Sequence, residues 1–240
     1  MRMPPPLSST LPRLLPPSRR PPSPKPRMSE PVTSRTLHDE MTPRVVVSTE
    51  IAFVGAVWNI RRDRFEYHDG IITREYVDHP GAVAILALDD DDRVLLIKQY
   101  RHPIAARDWE LPAGLLDMDG ESPVEGAKRE LAEEADLEAT EWSLLSEFFT
   151  SPGGSNEAIR IFLARGVSAT ADVFSRYDEE ADMEVRWVPL DEVVEAVLAR
   201  SIRNPILSLA VLAAQAAKER GFASLGDAEQ AWPWHPKSRS

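Results

Sequence analysis

The chain contains no cysteine, which excludes disulfides, thiolate zinc sites and cysteine nucleophiles and fits a reducing, cytoplasmic setting. It lacks any run approaching the roughly 20 apolar residues that a membrane-spanning helix needs. The longest apolar segment near the start, Leu11 to Leu15, is broken by Pro12 and Arg13, so a secretory signal is not expected. Acidic residues are missing from positions 1–27, which hold ten of the 21 prolines and six basic residues. So many prolines forbid the amphipathic helix of a transit peptide, and residues 1–43 are expected to form a disordered, Pro-rich tail. No internal repeat is visible. The five histidines are scattered without metal-ligating spacing, and none is assigned to a metal.

What remains is strongly acidic. The formal net charge is −11, and beyond residue 27 the chain carries 22 basic against 39 acidic residues, about −17. Such a body repels nucleic acid and anionic membrane, so neither is an expected partner. With 240 residues and 42% hydrophobic content, one or two domains with a sizeable core can form.

From Arg44 the pattern turns strand-like: VVVST, IAFVGAVWNI, then the alternating FEYHDGIITREYVDH with a hairpin signal at Asp69-Gly70. These strands, residues 44–80, predict a small antiparallel β subdomain. Residues 81–220 follow as the main domain. AVAILAL reads as a strand buried on both faces, and strands then alternate with helices, so the fold class is α/β. Asp191 is a plausible N-cap for the helix EVVEAVLAR, and Asn204-Pro205 opens the last helix. Residues 221–240 are expected to be a loosely packed terminus.

The chain is organised around residues 109–137, WELPAGLLDMDGESPVEGAKRELAEEADL. At 100° per residue, Val124, Ala127, Leu131 and Ala135 share an arc of about 80° and make an apolar face. Glu130, Glu133 and Glu134 occupy the neighbouring arc. Carboxylates spaced this way repel and weaken a bare helix by a few tenths of a kcal/mol per pair. A divalent cation would reverse that repulsion, because hard oxygen ligands are what Mg²⁺ or Mn²⁺ prefers. A cation would also let so acidic a protein hold a phosphate-rich substrate. Taken alone, the cluster could also be a solvated acidic face.

Its surroundings decide the matter. Gly114, six residues, Glu121, seven residues, then Arg129-Glu130-Leu131-Ala132-Glu133-Glu134 resembles the Nudix box, with one residue more than usual after the glycine and Asp136 where the family has glycine. QYRHP at 99–103, WELPAG at 109–114, SPGGSNE at 151–157, DEEADMEVRWVPL at 178–190 and REYVDHPGAVA at 74–84 resemble the ADP-ribose pyrophosphatase branch. The resemblance covers roughly residues 45–217. It implies a Nudix α/β/α sandwich with a mixed sheet, preceded by the small antiparallel β subdomain on the dimerisation and adenine side, and a homodimer.

The same resemblance implies that Glu130, Glu134 and the main-chain carbonyl of Ala113 ligate Mg²⁺ or Mn²⁺, with Glu133 as a further ligand or a tuning residue. Arg129 would hold the glutamates by ion pairing, with Glu121 as its partner or a supporting acid. Glu180, with Glu179 second, matches the loop base that activates water; an ordinary acidic loop is the alternative. Arg101 matches an arginine on the substrate's phosphates or terminal ribose. The loop Ser151 to Glu157, with Gly153-Gly154, could bring backbone close to a ligand or be only a turn. Arg74 and Glu75 lie where relatives bind adenine across a dimer interface, or serve the sheet. Trp58 and Trp109 are read as core residues rather than stacking platforms. The implied reaction is metal-dependent hydrolysis of the ADP-ribose pyrophosphate bond to AMP and ribose 5-phosphate. The alternatives are hydrolysis of another nucleoside diphosphate sugar such as GDP-mannose, or an ADP-ribose-sensing module that does not cleave.

Overall fold

The computed structural model describes residues 37–171 and 182–239. Contacts divide the chain between Pro43 and Arg44, where the composition changes from polar to strand-like. Strands β1 (Val46–Val54), β2 (Asn59–Tyr67) and β3 (Gly70–Asp78) form an antiparallel sheet in that order. The hairpin signal lies one residue late: Tyr67 pairs with Gly70 across His68-Asp69, and His68 rather than a glycine adopts a positive φ of 52°. Every residue of β1 is exposed, including Val46, Ile51, Phe53 and Val54.

Among the described residues eight more strands follow: β4 (Ala82–Ala87), β5 (Arg93–Arg101), β6 (Ala106–Glu110), β7 (Ala113–Leu115), β8 (Leu137–Phe149), β9 (Ala158–Ala169), β10 (Glu184–Pro189) and β11 (Gly226–Asp227). The main sheet has the order β11-β8-β9-β4-β7, and a smaller one the order β10-β5-β6. Strand β4 runs parallel to β9, and the remaining pairs of the main sheet are antiparallel, so that sheet is mixed. The helices are α1 (Pro123–Ala135), α2 (Leu190–Leu198) and α3 (Pro205–Glu219). Among the described residues no helix is long and apolar enough to cross a membrane.

The unbroken apolar run of β4 has a two-sided purpose. Ala82, Ala84 and Leu86 join a core with Leu190 and Val193 of α2 and with Leu207, Ala210, Val211 and Ala214 of α3. Val83, Ile85 and Ala87 join a second core with Val124, Ala127 and Leu131 of α1. Side chains alternate along a strand, so one central strand feeds both layers and the domain is an α/β/α sandwich.

Local signals set the helix ends. Ser122 caps α1, its hydroxyl accepting from the Glu125 N–H, and Pro123 occupies the first turn. At the other end Asp136 takes the left-handed conformation (φ 53°) and donates its N–H to the carbonyl of Ala132 at 2.9 Å. Asp thus does glycine's work there, at a cost of about 1 kcal/mol. Helix α2 starts earlier than the sequence suggests. Its cap is Pro189 with no side-chain bond, and Asp191 lies inside the first turn, where its charge suits the positive end of the helix. The Leu190 N–H finds its partner in the carbonyl of Asp92 (3.0 Å). Asn204 caps α3 by accepting from the Leu207 N–H at 3.0 Å.

The expectation of a loose terminus is overturned. Strand β11 pairs with β8, and both Trp232 and His235 are buried. The apolar content of AWPW was a cue: two tryptophans in so short a stretch seek a surface to cover. The packing is tight at Gly81, where φ is 88° and a Cβ would lie 2.3 Å from His235 Nε2. Gly81→Ala therefore meets both a forbidden backbone region and a clash. It is expected to cost about 1–3 kcal/mol, read as a lower urea midpoint at unchanged slope.

Candidate active site

The three helix glutamates differ in environment. Glu134 is buried, and its Oε2 accepts from the Ala113 N–H at 2.9 Å, so α1 is tied to the edge strand β7. Glu130 packs directly on Gly114: a Cβ there would fall 1.9 Å from Glu130 Cδ and 2.0 Å from its Oε1. Glycine is required at 114 for room, not for φ. Burial pushes the Glu130 carboxyl above the usual carboxylate range, with the Arg129 guanidinium opposing that shift. Glu133 stays open to solvent.

Arg129 gathers the acids. Its Nε and Nη2 donate to Glu121 Oε1 and Oε2 at 2.9 and 3.1 Å, while Nη1 donates to Glu130 Oε1 at 2.5 Å and Glu133 Oε2 at 3.1 Å. The fork to Glu121 holds that carboxyl below its ordinary range and raises the affinity of Arg129 for its proton. Gly126 makes the arrangement possible from the far side, since a Cβ there would reach within 3.0 Å of Glu121 Oε2.

The donors suit a divalent cation. They are all oxygen, they are anchored on one helix, and the Glu130 carboxylate is desolvated, so a cation would relieve the electrostatic cost of its charge. Among the described residues no three acidic or histidine side chains already close on one point. Instead Arg129 Nη1 lies within reach of both Glu130 and Glu133 and neutralises part of their charge. Gly114→Ala should displace the Glu130 carboxylate, the far end of a flexible side chain, and leave the fold intact. Hydrolytic turnover is expected to fall about 10–100-fold, as when groups supporting a metal ligand are lost, with far-ultraviolet circular dichroism unchanged.

Arg101 lies at the end of β5 with its Nε and Nη2 on Glu110 Oε1 and Oε2, at 2.7 and 2.5 Å. Glu110 is 5% exposed and also accepts from Gln99 Nε2 at 3.2 Å. A buried carboxylate thus fixes the direction of a half-exposed guanidinium. Glu157 accepts from the Thr150 hydroxyl at 2.5 Å and lies 3.3 Å from His79 Nε2; His79 in turn stacks on Trp58 at 4.3 Å. Burial holds His79 below the usual imidazole range, with the Glu157 charge opposing.

The loop from Ser151 to Glu157 has a tethering task. The carbonyl of Gly154 accepts from the Val77 N–H at 2.9 Å, and the Asn156 N–H donates to the carbonyl of Val77, so the loop clasps the end of β3. A Cβ at Gly153 or Gly154 would meet nothing within 4 Å. Arg74 donates to the carbonyl of Thr73, and Glu75 joins a surface chain with Arg62 and Glu50. Neither bonds the helix glutamates in these interactions.

Trp109 packs against the core at its edge, with Lys98 Nζ at 5.0 Å and Arg186 Cζ at 4.9 Å from its ring centroid. Trp58 is only half-buried, so neither tryptophan is wholly core. Glu179 and Glu180 lie outside the described residues. Asp182 has its carbonyl held by Arg107 Nη2 at 2.6 Å. A cavity of about 800 Å³ is lined by Arg61, Tyr76, Asp78, His79, Asn156 and Lys237, among others. None of the three helix glutamates lines it.

Glu110, Arg160 and Glu147 escaped the sequence reading. Only Arg160 carried a local signal, a charge inside the apolar run AIRIFLA of β9; the strands of Glu110 and Glu147 hold other charged residues.

The α/β/α sandwich seats Gly114 against helix-borne carboxylates whose oxygens suit a divalent cation. The NUDIX domain family matches residues 78–209; the chain belongs to the Nudix family, whose hydrolases generally use divalent metal ions. It is 42% identical over 187 residues to the ADP-ribose pyrophosphatase of Mycobacterium tuberculosis (strain ATCC 25618 / H37Rv), covering 78% of this chain and 89% of that protein. With the ADP-ribose pyrophosphatase of Bacillus subtilis (strain 168) it shares 34% identity over 166 residues, 69% of this chain and 89% of the relative. A crystal structure of an ADP compounds hydrolase superposes with a TM-score of 0.61 at 18% identity, over 77% of this chain and 99% of that one, a likeness of fold.

Proposed function

We propose that the protein hydrolyses the pyrophosphate bond of ADP-ribose to AMP and ribose 5-phosphate with Mg²⁺ or Mn²⁺, in a reducing cytoplasm. The observation that carries this reading is the seating of Glu130 and Glu134 of α1 against Gly114 and Ala113 of β7. The two pyrophosphatase relatives supply the substrate class. Glu130 and Glu134, with Glu133 and the Ala113 carbonyl, would hold the cation. When bound, the cation would neutralise the diphosphate and lower the pKa of water. Arg129 keeps the acids gathered, and Glu180, with Glu179 as the alternative, takes the proton of the attacking water. Arg101, aimed by Glu110, offers a planar fork of the kind that matches a diphosphate. Glu157 and Gly153 would bind the substrate, and Arg74 and Glu75 its adenine.

The same reading gives the domain layout: residues 1–43 a tail, 44–80 a subdomain for dimerisation, 81–220 the catalytic domain and 221–240 a terminal segment. The apolar side chains exposed along β1, Phe53 and Val54 above all, support a homodimer covering that sheet. Retention of every box acid speaks against a sensing module. A panel of ADP-ribose, other ADP-sugars and GDP-mannose, with Mg²⁺ and detection of released mononucleotide, tests the substrate. ADP-ribose should give the highest kcat/KM; if it is the poorest of the panel, the assignment to ADP-ribose is wrong.

A further inference from the structure

The strand that meets the helix carboxylates is a short one at an edge of the main sheet. Strand β7 has three residues, lies at the edge, and among the described residues pairs only with β4, through Leu115–Ala82, Gly114–Val83 and Ala113–Ala84. So short an edge strand opens readily on its own. Yet its Ala113 N–H and its bare Gly114 set the positions of Glu134 and Glu130. Something further must hold it.

Arg160 identifies the holder. It lies in β9 in register with Ala158, Phe162 and Ala164, which face α1, and it is 1% exposed. Burying a lone guanidinium costs several kcal/mol unless its donors are satisfied. Glu147 Oε2 takes Nη2 at 2.9 Å. The other partners come from the terminal segment: the carbonyl of Gln230 takes Nη1 at 2.9 Å, the carbonyl of Ala231 lies 3.3 Å from Nη2, and the Trp232 ring centroid is 4.6 Å from Cζ. Without residues 230–232 this buried charge would lose two of its four hydrogen bonds and the tryptophan ring, keeping only its bonds to Glu147.

From that anchor the chain reaches both strands at the start of their pairing. His235 Nε2 meets the carbonyl of Pro80 at 3.0 Å. Lys237 Nζ donates to the carbonyl of Leu116 at 2.9 Å, while the N–H of the same Leu116 donates to the carbonyl of Gly81 at 3.0 Å. Both backbone groups of the residue that closes β7 are therefore fixed, one of them by the terminal segment.

We propose that residues 226–239 form a brace, docked on Arg160 and Trp232, that holds β7 in register against α1, with Lys237 as a positioning residue for Glu130 and Glu134. The catalytic consequence rests on the hydrolase reading above; the brace itself does not. The test is amide hydrogen exchange on the metal-free full chain with Lys237→Met, Lys237→Arg and Arg160→Met, followed by kinetics on ADP-ribose. In Lys237→Met, exchange in residues 111–118 should rise about tenfold as the strand's local opening becomes easier. The interior of β9 should stay protected. Lys237→Arg should restore slow exchange. Arg160→Met should release residues 226–238 and 111–118 together. In turnover, Lys237→Met should lower kcat several-fold at unchanged KM. Unchanged exchange at 111–118 in both Met variants would overturn the brace, as would a rise across the whole domain that Lys237→Arg does not reverse. A higher KM at unchanged kcat would place Lys237 on the substrate and likewise overturn it. If the wild type leaves ADP-ribose intact while the exchange pattern holds, only the substrate assignment falls.

Discussion

Glu134→Gln is expected to reduce kcat for ADP-ribose hydrolysis by at least ~10³-fold while leaving the protein folded. A divalent cation supplies several kcal/mol of charge stabilisation to a reacting phosphoryl group, and about 1.4 kcal/mol corresponds to a tenfold rate. Glu134 would contribute a full negative charge to that cation from a position with little access to water, where no solvent group readily replaces it. The amide keeps the shape of the side chain, and its oxygen can still accept from the Ala113 N–H that Glu134 Oε2 holds at 2.9 Å. Melting temperature should therefore move by no more than about 3 °C, the scale of 1 kcal/mol in a domain of this size. Mn²⁺ titrated into the metal-free variant should bind at least ~10-fold more weakly. Wild-type turnover in this variant would remove Glu134 from the site.

Arg129→Met should produce the largest loss of stability. Its guanidinium is 25% exposed, and the two acids it neutralises most closely, Glu121 and Glu130, are 14% and 13% exposed. Removing one partner of such a group leaves uncompensated charge, and a cost of about 3 kcal/mol is expected, the lower end for buried pairs because Glu133 remains solvated. That corresponds to a fall in melting temperature of about 6–12 °C. The loss depends on pH in a defined direction. Arg129 holds the Glu121 carboxyl below its ordinary range, so its stabilisation is complete above the unfolded-state pKa and disappears as pH falls through the depressed folded value. The gap between wild type and variant should be widest near neutrality and narrow in acid. A gap of constant size would mean that packing of the arginine stem, not its charge, accounts for the loss.

Much of the design is already readable along the chain. The α/β class follows from periodicity. The apolar run of β4 demands burial on both faces, and the two cores on either side of it meet that demand. Asn204 and Pro205 mark the start of the last helix because capping is a local matter between near neighbours. The acidic cluster is legible for a similar reason: side chains three and four apart on a helix must share a face.

Contacts between distant segments were not legible. Glu110 and Arg101 are neighbours across a β5–β6 pairing, and nothing in either residue's immediate sequence announces the other. The terminal segment reads as polar and loose, yet Arg160, roughly 70 residues upstream, gives it a fixed seat. Asp191 looks like a cap, but the carbonyl of Asp92, from a separate turn, satisfies the first N–H of α2.

By itself the sequence determined what neighbouring residues settle among themselves: strand and helix periods, caps, and the row of carboxylates along α1. The tertiary structure alone decided which carboxylates are desolvated, that a glycine must face Glu130, and that the chain's last residues close on the first strands of the sheet. The physical reason is that desolvation and ion pairing depend on what comes near in space, and a local pattern in the chain does not encode a neighbour that folding brings from far away.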